Sequence, residues 1–556
     1  MSMAYSPIQR LDFDILWCIV QINADMFNYD EALETTLATS RVCRDWRNFM
    51  LSTTSIWAHL IDLDHWVWST AEGRSEFIRR SGTALLWMKL HDMYGPLHCN
   101  KHLLNVVGKH LERIQRLEVT ITLEYVDQWS LLFFPAPHLE SFSITFDDRS
   151  RKFNHILSSL FGGSAPLLRE LYFRGHRSNL TTAPSSWLHQ LRSLDLEGEP
   201  TVSKTLGVLT LTTNLVNLWL YQIRADRTTP TLSLVSLPKL AYLDMHLHTH
   251  TATLTSGAVL LDHLRIPPIC SLNLLVHSIH RRAIDEESTC AAIIRAISTC
   301  ARASFTHHAP QNLCLTITPR HFTLETTTHP DGPTFRFSME LLLQQVFPKH
   351  TLPILLSEFS LPYFSKVTSF RVRISSVNRP VPEIPTFMAC LPSVNTIKTD
   401  KWSLRHLIRA PVALKRADTG PRILFPTLKI LDVRSLLSSR ADKSRFDSYP
   451  DPVSKFVLAR IAHDHAISII DFTEDTLDVL PNMEFLRKAV GLEVCWRQRG
   501  VPEIHKYVCG TRAPPNPVSV QEVDSVELRK CHRIASRFST SLLGNITDIK
   551  IKTVNV

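Results

Sequence analysis

Glycine and long apolar runs are scarce in this sequence. Only 16 of 556 residues are glycine, against 32 prolines, which excludes a collagenous or low-complexity chain. No stretch of about 18 uncharged apolar residues occurs, so the sequence predicts no membrane-spanning helix. The N-terminus reaches Asp12 and Asp14 before any long apolar stretch and lacks a small-residue cleavage site. We therefore expect no membrane association and a cytoplasmic or nuclear location.

Paired cysteines and blocks of like charge are also missing. The 11 cysteines occur singly, without a C-x-x-C pair, and a chain of this length needs no disulfide staples, so we expect free thiols. The net charge is +9, but 61 basic residues are interleaved with 52 acidic ones. Without a concentrated basic stripe the attraction to phosphates is weak, so we do not expect nucleic acid as a partner.

The signatures of common catalytic sites are absent as well. The sequence contains no phosphate loop, dinucleotide fingerprint, G-x-S-x-G elbow, H-E-x-x-H helix or kinase motif. His246, His248 and His250 alternate along one segment, where imidazoles on one strand face are candidate zinc ligands. No cysteine or paired carboxylate is placed to complete a metal shell, which favours solvent-facing histidines. We predict no enzymatic activity, no catalytic residue, no metal and no cofactor.

A repeated motif is present instead. From residue 114 onward, L-x-x-L-x-L recurs with apolar residues in its three positions, at Ile114-Leu117-Val119, Leu139-Phe142-Ile144, Leu168-Leu171-Phe173, Leu191-Leu194-Leu196, Leu215-Leu218-Leu220, Leu240-Leu243-Met245 and Leu261-Leu264-Ile266. Successive copies begin 25, 29, 23, 24, 25 and 21 residues apart, which is the period of leucine-rich repeats. Strands joined by return segments of this length stack in parallel. We therefore predict parallel strands at 117–119, 142–144, 171–173, 194–196, 218–220 and 243–245.

The repeat pattern loosens towards the C-terminus. Residues 285–303 predict an amphipathic helix, and LCLTI, HFTLET and TFRFSM predict strands, the last two joined as a hairpin through His329-Pro-Asp-Gly-Pro. We interpret this part as an insertion with its own small sheet. The repeat motif returns at Val367-Phe370-Val372, Val394-Ile397 and Leu428-Leu431-Val433.

The N-terminal segment has helical periodicity. Ile15, Leu16, Ile19 and Val20 are spaced for a short amphipathic helix that Asp12 can cap. After a polar turn, apolar residues continue at intervals of three and four across two more predicted helices. A three-helix unit of about 50 residues is marginally stable alone and favours a binding partner.

This segment resembles an F-box. The opening of the F-box pattern is matched by Leu11, Asp14, Ile15 and Leu16, its middle by Val42, Cys43, Arg44 and Trp46, and its close by Ser52, Thr53, Ile56 and Trp57. Asp12 and Thr54 stand where the family often has proline. From Glu76, the string EFIRRSGTALL is similar to the helix, Ser-Gly and strand that follow the F-box in large families of mushroom-forming fungi.

The resemblance implies a role in ubiquitin ligation. An F-box docks on a Skp-type adaptor and through it on a cullin, and the residues expected at that contact are Leu11, Ile15, Leu16, Ile19, Val42, Cys43 and Trp46. The repeats would then hold an unknown protein substrate. The alternatives are a leucine-rich repeat scaffold that acts outside the ligase and a nucleic-acid or lipid-surface binder, which would need a clustered basic face.

Candidate substrate-binding residues follow from strand geometry. The L-x-L residues of each repeat point into the core, so the residues between them face outward. The expected substrate-binding set is Tyr172, Arg174, Asp195, Trp219, Tyr221 and His246, with Trp219 the strongest candidate because exposed aromatics anchor interfaces. In the alternative interpretation, an insertion or loop covers this face and the aromatics are packed.

The predicted fold class is α/β, or α+β overall. A small three-helix F-box precedes a divergent leucine-rich repeat solenoid with a parallel concave sheet. The predicted segments are an F-box at 6–62, a linker helix and capping strand at 63–100, repeats at 101–280, the helix and hairpin insertion at 281–350, divergent repeats at 351–500 and a C-terminal cap or flexible tail at 501–556.

Overall fold

The structure is a computed structural model of the 556-residue chain. It describes residues 12–66, 70–90, 97–121, 132–146, 160–175, 186–198, 200–226, 231–248, 251–279, 287–327, 336–343, 346–375, 381–414, 423–434, 452–477, 489–498 and 503–511. Leu11, His250, the predicted hairpin turn at 329–333 and the tail beyond 511 lie outside these ranges. The chain is mixed α/β and divides into two compact units, Met1–Ile397 with Arg405–Thr427, and Lys398–Leu404 with Leu428–Val556.

The first unit begins with short helices. Their bounds are α1 Phe13–Asn23, α2 Ala32–Thr39, α3 Arg44–Ser52 and α4 Thr54–Ala58. The prediction of three helices was wrong by one, because extended backbone at Thr53 (φ −87°, ψ 97°) separates α4 from α3. Asp12 caps α1 through its carboxylate, which accepts from the Asp14 N–H, and the Cys43 sulfur caps α3. We call these four helices the N-terminal helical unit.

Two short strands and two helices follow the helical unit, and the two strands begin the main sheet of the first unit. The elements are β1 Ile61–Asp62, α5 Leu63–Trp66, α6 Ala71–Ser81 and β2 Leu86–Leu90, with β1 and β2 parallel. The predicted order of helix, Ser-Gly and strand after Glu76 is confirmed. Gly82 ends α6 at φ +52°, and a Cβ there would meet Thr54 Cγ2 at 3.1 Å, so this turn favours glycine.

Further strands follow β2, with helices on the return segments, and all of them except β8 and β10 extend the sheet. The strands are β3 Ile114–Ile121, β4 Ser141–Phe146, β5 Glu170–Gly175, β6 Ser193–Glu197 and β7 Asn217–Tyr221, followed by β8 Val235–Ser236 and β9 Tyr242–His248. The return helices of this part are α7 Leu97–His110, α8 Val202–Leu211 and α9 Thr251–Asp262, and β10 Leu264–Arg265 and β11 Ser271–Ile279 follow.

The predicted parallel pairing is confirmed for this array. Strands β2, β3, β4, β5, β6, β7, β9 and β11 pair in parallel in that order. The middle position of each motif lies directly opposite its counterpart on the next strand, in the row Leu117, Phe142, Leu171, Leu194, Leu218 and Leu243. All six side chains are buried, so one continuous apolar row holds the strands in register.

The seventh predicted repeat was wrong. Leu261 ends up inside α9, and Leu264 belongs to the two-residue strand β10, which pairs with β8 outside the main sheet. The strand that joins the sheet is β11, where Leu272 pairs with Leu243. An L-x-x-L spacing of three residues fits a helix as well as a repeat motif, and here the helix formed.

The predicted insertion is part of the main sheet rather than a separate one. Its elements are α10 Glu287–His307, β12 Asn312–Ile317, β13 His321–Thr327 and β14 Arg336–Leu343, followed by α11 Thr351–Glu358 and β15 Ser369–Ile374. Strand β14 is parallel to β11, β13 is antiparallel to both β14 and β12, and β12 is parallel to β15. The spatial order is therefore β11, β14, β13, β12 and β15.

The physical reason is a shared buried row. Leu274 lies opposite Met339, which lies opposite Leu324; Leu315 and Val372 continue the row. All five side chains are buried. A separate sheet would leave the backbone edges of β11 and β15 without partners, whereas insertion satisfies both edges and extends the apolar row.

The remaining elements complete both units. They are α12 Glu383–Ala389, β16 Thr396–Asp400, α13 Lys401–Leu414, β17 Ile430–Arg434, α14 Pro452–Ile461, β18 Ile469–Leu477, β19 Glu493–Gln498 and β20 Ile504–Val508. Strands β15, β16 and β17 occupy the three later predicted motifs. In the second unit, β17, β18 and β19 are parallel, and β20 is antiparallel to β19.

Two chemical properties of the described ranges follow. No helix in them combines the length and the apolarity that a bilayer crossing requires. The nine cysteines whose side chains the structure describes are free thiols, as the single spacing of the cysteines predicted.

Candidate functional site

The outward face of strands β5, β6, β7 and β9 brings together all six predicted substrate-binding residues. Side chains alternate along a strand, so residues that share this face are opposite one another across the sheet. Tyr172 lies opposite Asp195, which lies opposite Trp219. Tyr221 lies opposite His246 one step further along the strands. We call the outward positions of these four strands the acidic aromatic face.

Aromatic rings cover much of this face. The ring of Trp219 lies 6.1 Å from that of Tyr172 and 5.8 Å from that of Tyr242, and the rings of Tyr221 and His246 are 4.5 Å apart. All five side chains are half-buried, so each ring both contacts a neighbouring ring and keeps part of its surface exposed. The predicted outward orientation and the alternative of packed aromatics are therefore both partly right.

Asp195 lies beneath two of these rings. Strands two apart are separated by about 10 Å, so rings only 6.1 Å apart lean towards each other over the residue between them. Asp195 is 2% exposed as a result. Its Oδ2 accepts a hydrogen bond from Arg174 Nε at 3.1 Å, but its Oδ1 is buried without a partner. A buried polar atom without a hydrogen bond costs about 1–3 kcal/mol.

Burial also changes how Asp195 ionises. The low-dielectric surroundings raise the pKa of this carboxyl to about 6, and the Arg174 guanidinium opposes that rise without cancelling it. Burial raises the pKa values of Tyr172, Tyr221 and Tyr242 to about 12. The three phenols are therefore neutral near pH 7.

Asp244, on the other side of Trp219, has a different environment. It accepts hydrogen bonds from the Tyr242 hydroxyl at 2.9 Å and from Asn273 Nδ2 at 3.1 Å, and it lies 3.0 Å from His246 Nε2. Burial raises the pKa of this carboxyl, but these hydrogen bonds and the His246 ring together hold the pKa below its usual value. Tyr242 was missed in the sequence, although it stands two residues before Asp244 on the same strand face.

A groove links this face to the N-terminal helical unit. Phe27, from the turn between α1 and α2, packs its ring 4.0 Å from the Arg116 guanidinium and 6.0 Å from the Trp87 ring. A cavity of about 150 Å³ lies between Phe27 and Arg116 on one side and Tyr172 and Arg174 on the other. Phe27 was not predicted as a site residue because it stands in a turn and belongs to no periodic pattern.

Helix α1 presents a second candidate surface. It is apolar almost all round, yet only Leu16 and Val20 are buried in the core of the helical unit. Phe13 and Trp17 are 60% and 46% exposed, and Ile15, Ile19 and Ile22 are also exposed. We call the exposed residues Phe13, Ile15, Trp17, Ile19 and Ile22 the α1 apolar face.

The predicted adaptor-binding residues do not all belong to one surface. Ile15, Ile19, Val42 and Cys43 are exposed. Trp46 is half-buried and packs on the core of the helical unit. Leu16 is 3% exposed and lies in the core of the helical unit rather than on its surface. Leu11 lies outside the described residues.

The candidate histidine metal site has no support in the described ranges. Within them, no group of three or more His, Cys, Asp or Glu side chains is placed to hold a metal ion. His246 contacts Asp244 instead. The acidic aromatic face therefore presents carboxylates, hydroxyls and ring faces to a ligand.

Comparison with known proteins adds no family to these observations. No protein-family model and no curated protein matches the sequence. The described residues thus present two candidate surfaces, the α1 apolar face and the acidic aromatic face.

Proposed function

We propose that this chain is a substrate-recognition subunit of an SCF-type cullin-RING ubiquitin ligase. In this role the N-terminal helical unit is an F-box that binds a Skp-type adaptor, and the parallel strand array is a divergent leucine-rich repeat solenoid that binds a protein substrate. The observation that carries the proposal is the α1 apolar face. A helix that is apolar all round is normally buried on all sides, and α1 is buried on one stripe only.

The composition of that face supports a protein partner. Large contiguous apolar patches on a protein surface mark interaction sites, and aromatic residues supply most of the binding energy at such sites. Phe13 and Trp17 provide two aromatic anchors, with Ile15 and Ile19 beside them. Exposed Val42 and Cys43 belong to the F-box-like string, which gives the resemblance a second accessible segment.

The strand array supports the second half of the proposal. Its parallel strands carry a buried apolar row on one face and a row of polar and aromatic side chains on the other. Mechanistically, the chain would act by positioning: it would hold the substrate near the ubiquitin-loaded enzyme and raise its effective concentration at the thioester. The proposal assigns no chemical step to this chain.

The test is capture of the adaptor by the full chain. Affinity-tagged wild-type chain is co-expressed with a Skp-type adaptor and a cullin, and both should co-purify. The double variant Ile15→Asp with Trp17→Asp should lose both partners, because carboxylates in an apolar contact cost several kcal/mol in total. Phe134→Asp is the control for an exposed carboxylate elsewhere, since Phe134 is an exposed apolar residue outside the helical unit.

Two outcomes would overturn the proposal. A well-folded wild-type chain that captures no adaptor would identify the protein as a repeat scaffold that works outside the ligase. Equal capture by the double variant and by Phe134→Asp would show that α1 is not the contact. The acidic aromatic face, where four carboxylates accompany one guanidinium among the described side chains, gives no support to nucleic-acid binding.

A further inference from the structure

The acidic aromatic face has the chemistry of a cation-binding site. Its described side chains include four carboxylates, on Glu170, Asp195, Glu197 and Asp244, and one guanidinium, on Arg174, although the whole chain carries a net charge of +9. Half-buried rings lie among these carboxylates. Faces of Trp and Tyr rings attract cations that come within about 6 Å of their centroids.

The buried carboxylate of Asp195 marks the centre of this face. Arg174 satisfies only its Oδ2, and its Oδ1 has no hydrogen-bond partner beneath the rings of Tyr172 and Trp219. The strands that carry these two rings are about 10 Å apart, so side-chain rotation alone can open a gap between the rings. A planar cation in that gap would contact both rings and bring N–H donors to Oδ1.

We propose that the substrate segment held by this face presents an arginine side chain, which inserts between Tyr172 and Trp219 and donates to Asp195. The inference rests on the proposed function of the face in substrate binding and names the chemistry of its ligand. Arginine fits better than lysine because the guanidinium is flat, stacks on rings and donates in a fixed fork. Glu197 and Asp244 add favourable charge without occupying the gap.

The first experiment identifies the ligand class without knowledge of the substrate. A phage library of random 12-residue peptides is selected against the full wild-type chain. Arginine should be enriched at one position of the selected peptides. The best peptide is then synthesised, and its arginine is replaced by alanine and by lysine. Alanine should weaken binding by about 30-fold, and lysine by a smaller factor.

Matched charge variants show where the peptide binds. Asp195→Asn with Glu197→Gln removes two negative charges from the face, and Glu72→Gln with Glu112→Gln removes two from exposed sites elsewhere in the same unit. The first pair should weaken binding of the arginine peptide at least tenfold, and the control pair by less than twofold. Trp219→Leu provides an independent variant, which should also weaken binding while Trp219→Phe retains it.

Three results would overturn the inference: no enriched peptide, enrichment without arginine, or equal loss in the two charge pairs. Adaptor capture is measured on the same proteins. Retained capture together with any of these results rejects the arginine ligand and leaves the proposed ligase role standing, whereas loss of capture by the wild-type chain rejects that role.

Discussion

Arg174 donates to one oxygen of Asp195 at 3.1 Å and leaves the other oxygen of that carboxylate buried without a partner. Only one of the two carboxylate oxygens therefore has a hydrogen bond, although buried polar atoms in proteins normally have one. Such a site costs stability in the free protein, and a ligand that donates to the second oxygen would restore part of it.

Ionisation of Asp195 should destabilise the folded chain. Its pKa is raised from 3.8 to about 6, so the folded state binds the proton more tightly than the unfolded state does. The stability that the protonated carboxyl contributes is present below pH 4 and is lost as the pH rises through 6. A rise of about two units corresponds to about 3 kcal/mol. Denaturant unfolding of wild type and Asp195→Asn between pH 4 and pH 7 measures this loss. The difference between their free energies of unfolding should change with pH by this amount. A difference that is flat with pH contradicts it.

Loss of the central aromatics should affect binding more than folding. Trp219→Ala and Tyr221→Ala remove half-buried rings, and each aromatic ring pair that is lost costs about 0.5–1.5 kcal/mol of stability beyond the apolar area that it buried. Removal of a binding hot spot costs about 2 kcal/mol or more of affinity. Leu218→Ala, at a fully buried position on the same strand, should instead cost about 2–5 kcal/mol of stability. Thermal melting and recovery of bound partners separate the two cases. Equal melting losses at 218 and 219 would show that Trp219 is a core residue.

Adjacent residues of α1 should respond differently to the same substitution. Leu16→Asp places a carboxylate in the core of the helical unit and should unfold that unit. Ile15→Asp places the same group on an exposed position and should leave the melting temperature almost unchanged. Only adaptor capture should fall for Ile15→Asp. Circular dichroism and co-purification of each variant provide the measurement. Unfolding of the Ile15→Asp variant would show that Ile15 is a core residue and does not belong to an exposed apolar face.

Asp12→Pro should leave the fold intact and leave adaptor affinity equal or higher. Asp12 has φ −62°, which proline adopts without strain, and its carbonyl can still accept from the Leu16 N–H. The side-chain cap that would be lost is a long contact of 3.5 Å to the Asp14 N–H. Proline is also the residue that F-boxes usually carry at the position that Asp12 matches. Titration of the adaptor against both proteins measures the affinity, and a loss of tenfold or more would contradict this reasoning.

The sequence was sufficient for features that repeat. The row of Leu171, Leu194 and Leu218 could be predicted because buried side chains recur at a constant interval, and the outward positions between them followed from strand alternation. It was insufficient for Leu261, where helix and repeat spacing coincide. Nor could it separate Leu16 from Ile15, because a helix that is apolar all round does not reveal which stripe faces the core.

Neighbours across the sheet were the least predictable feature. Alternation in β12, β13 and β14 indicates that each strand has a buried face, but it does not say which strand lies alongside. The position of Phe27 against Arg116 likewise depends on a turn without periodicity. These contacts arise from tertiary packing, which local patterns in one sequence do not encode.

The insertion of β14, β13 and β12 between β11 and β15 also affects how the chain can fold. In a regular repeat array, order spreads from each unit to the next along the chain. Here Leu274 of β11 pairs with Met339, which lies 65 residues further along the chain. One edge of β11 therefore has no strand partner until β14 has been synthesised. At ribosomal synthesis rates of about 5–20 residues per second, that edge is exposed for on the order of three to thirteen seconds. We therefore expect newly made chains to be open to mispairing at β11 during this interval.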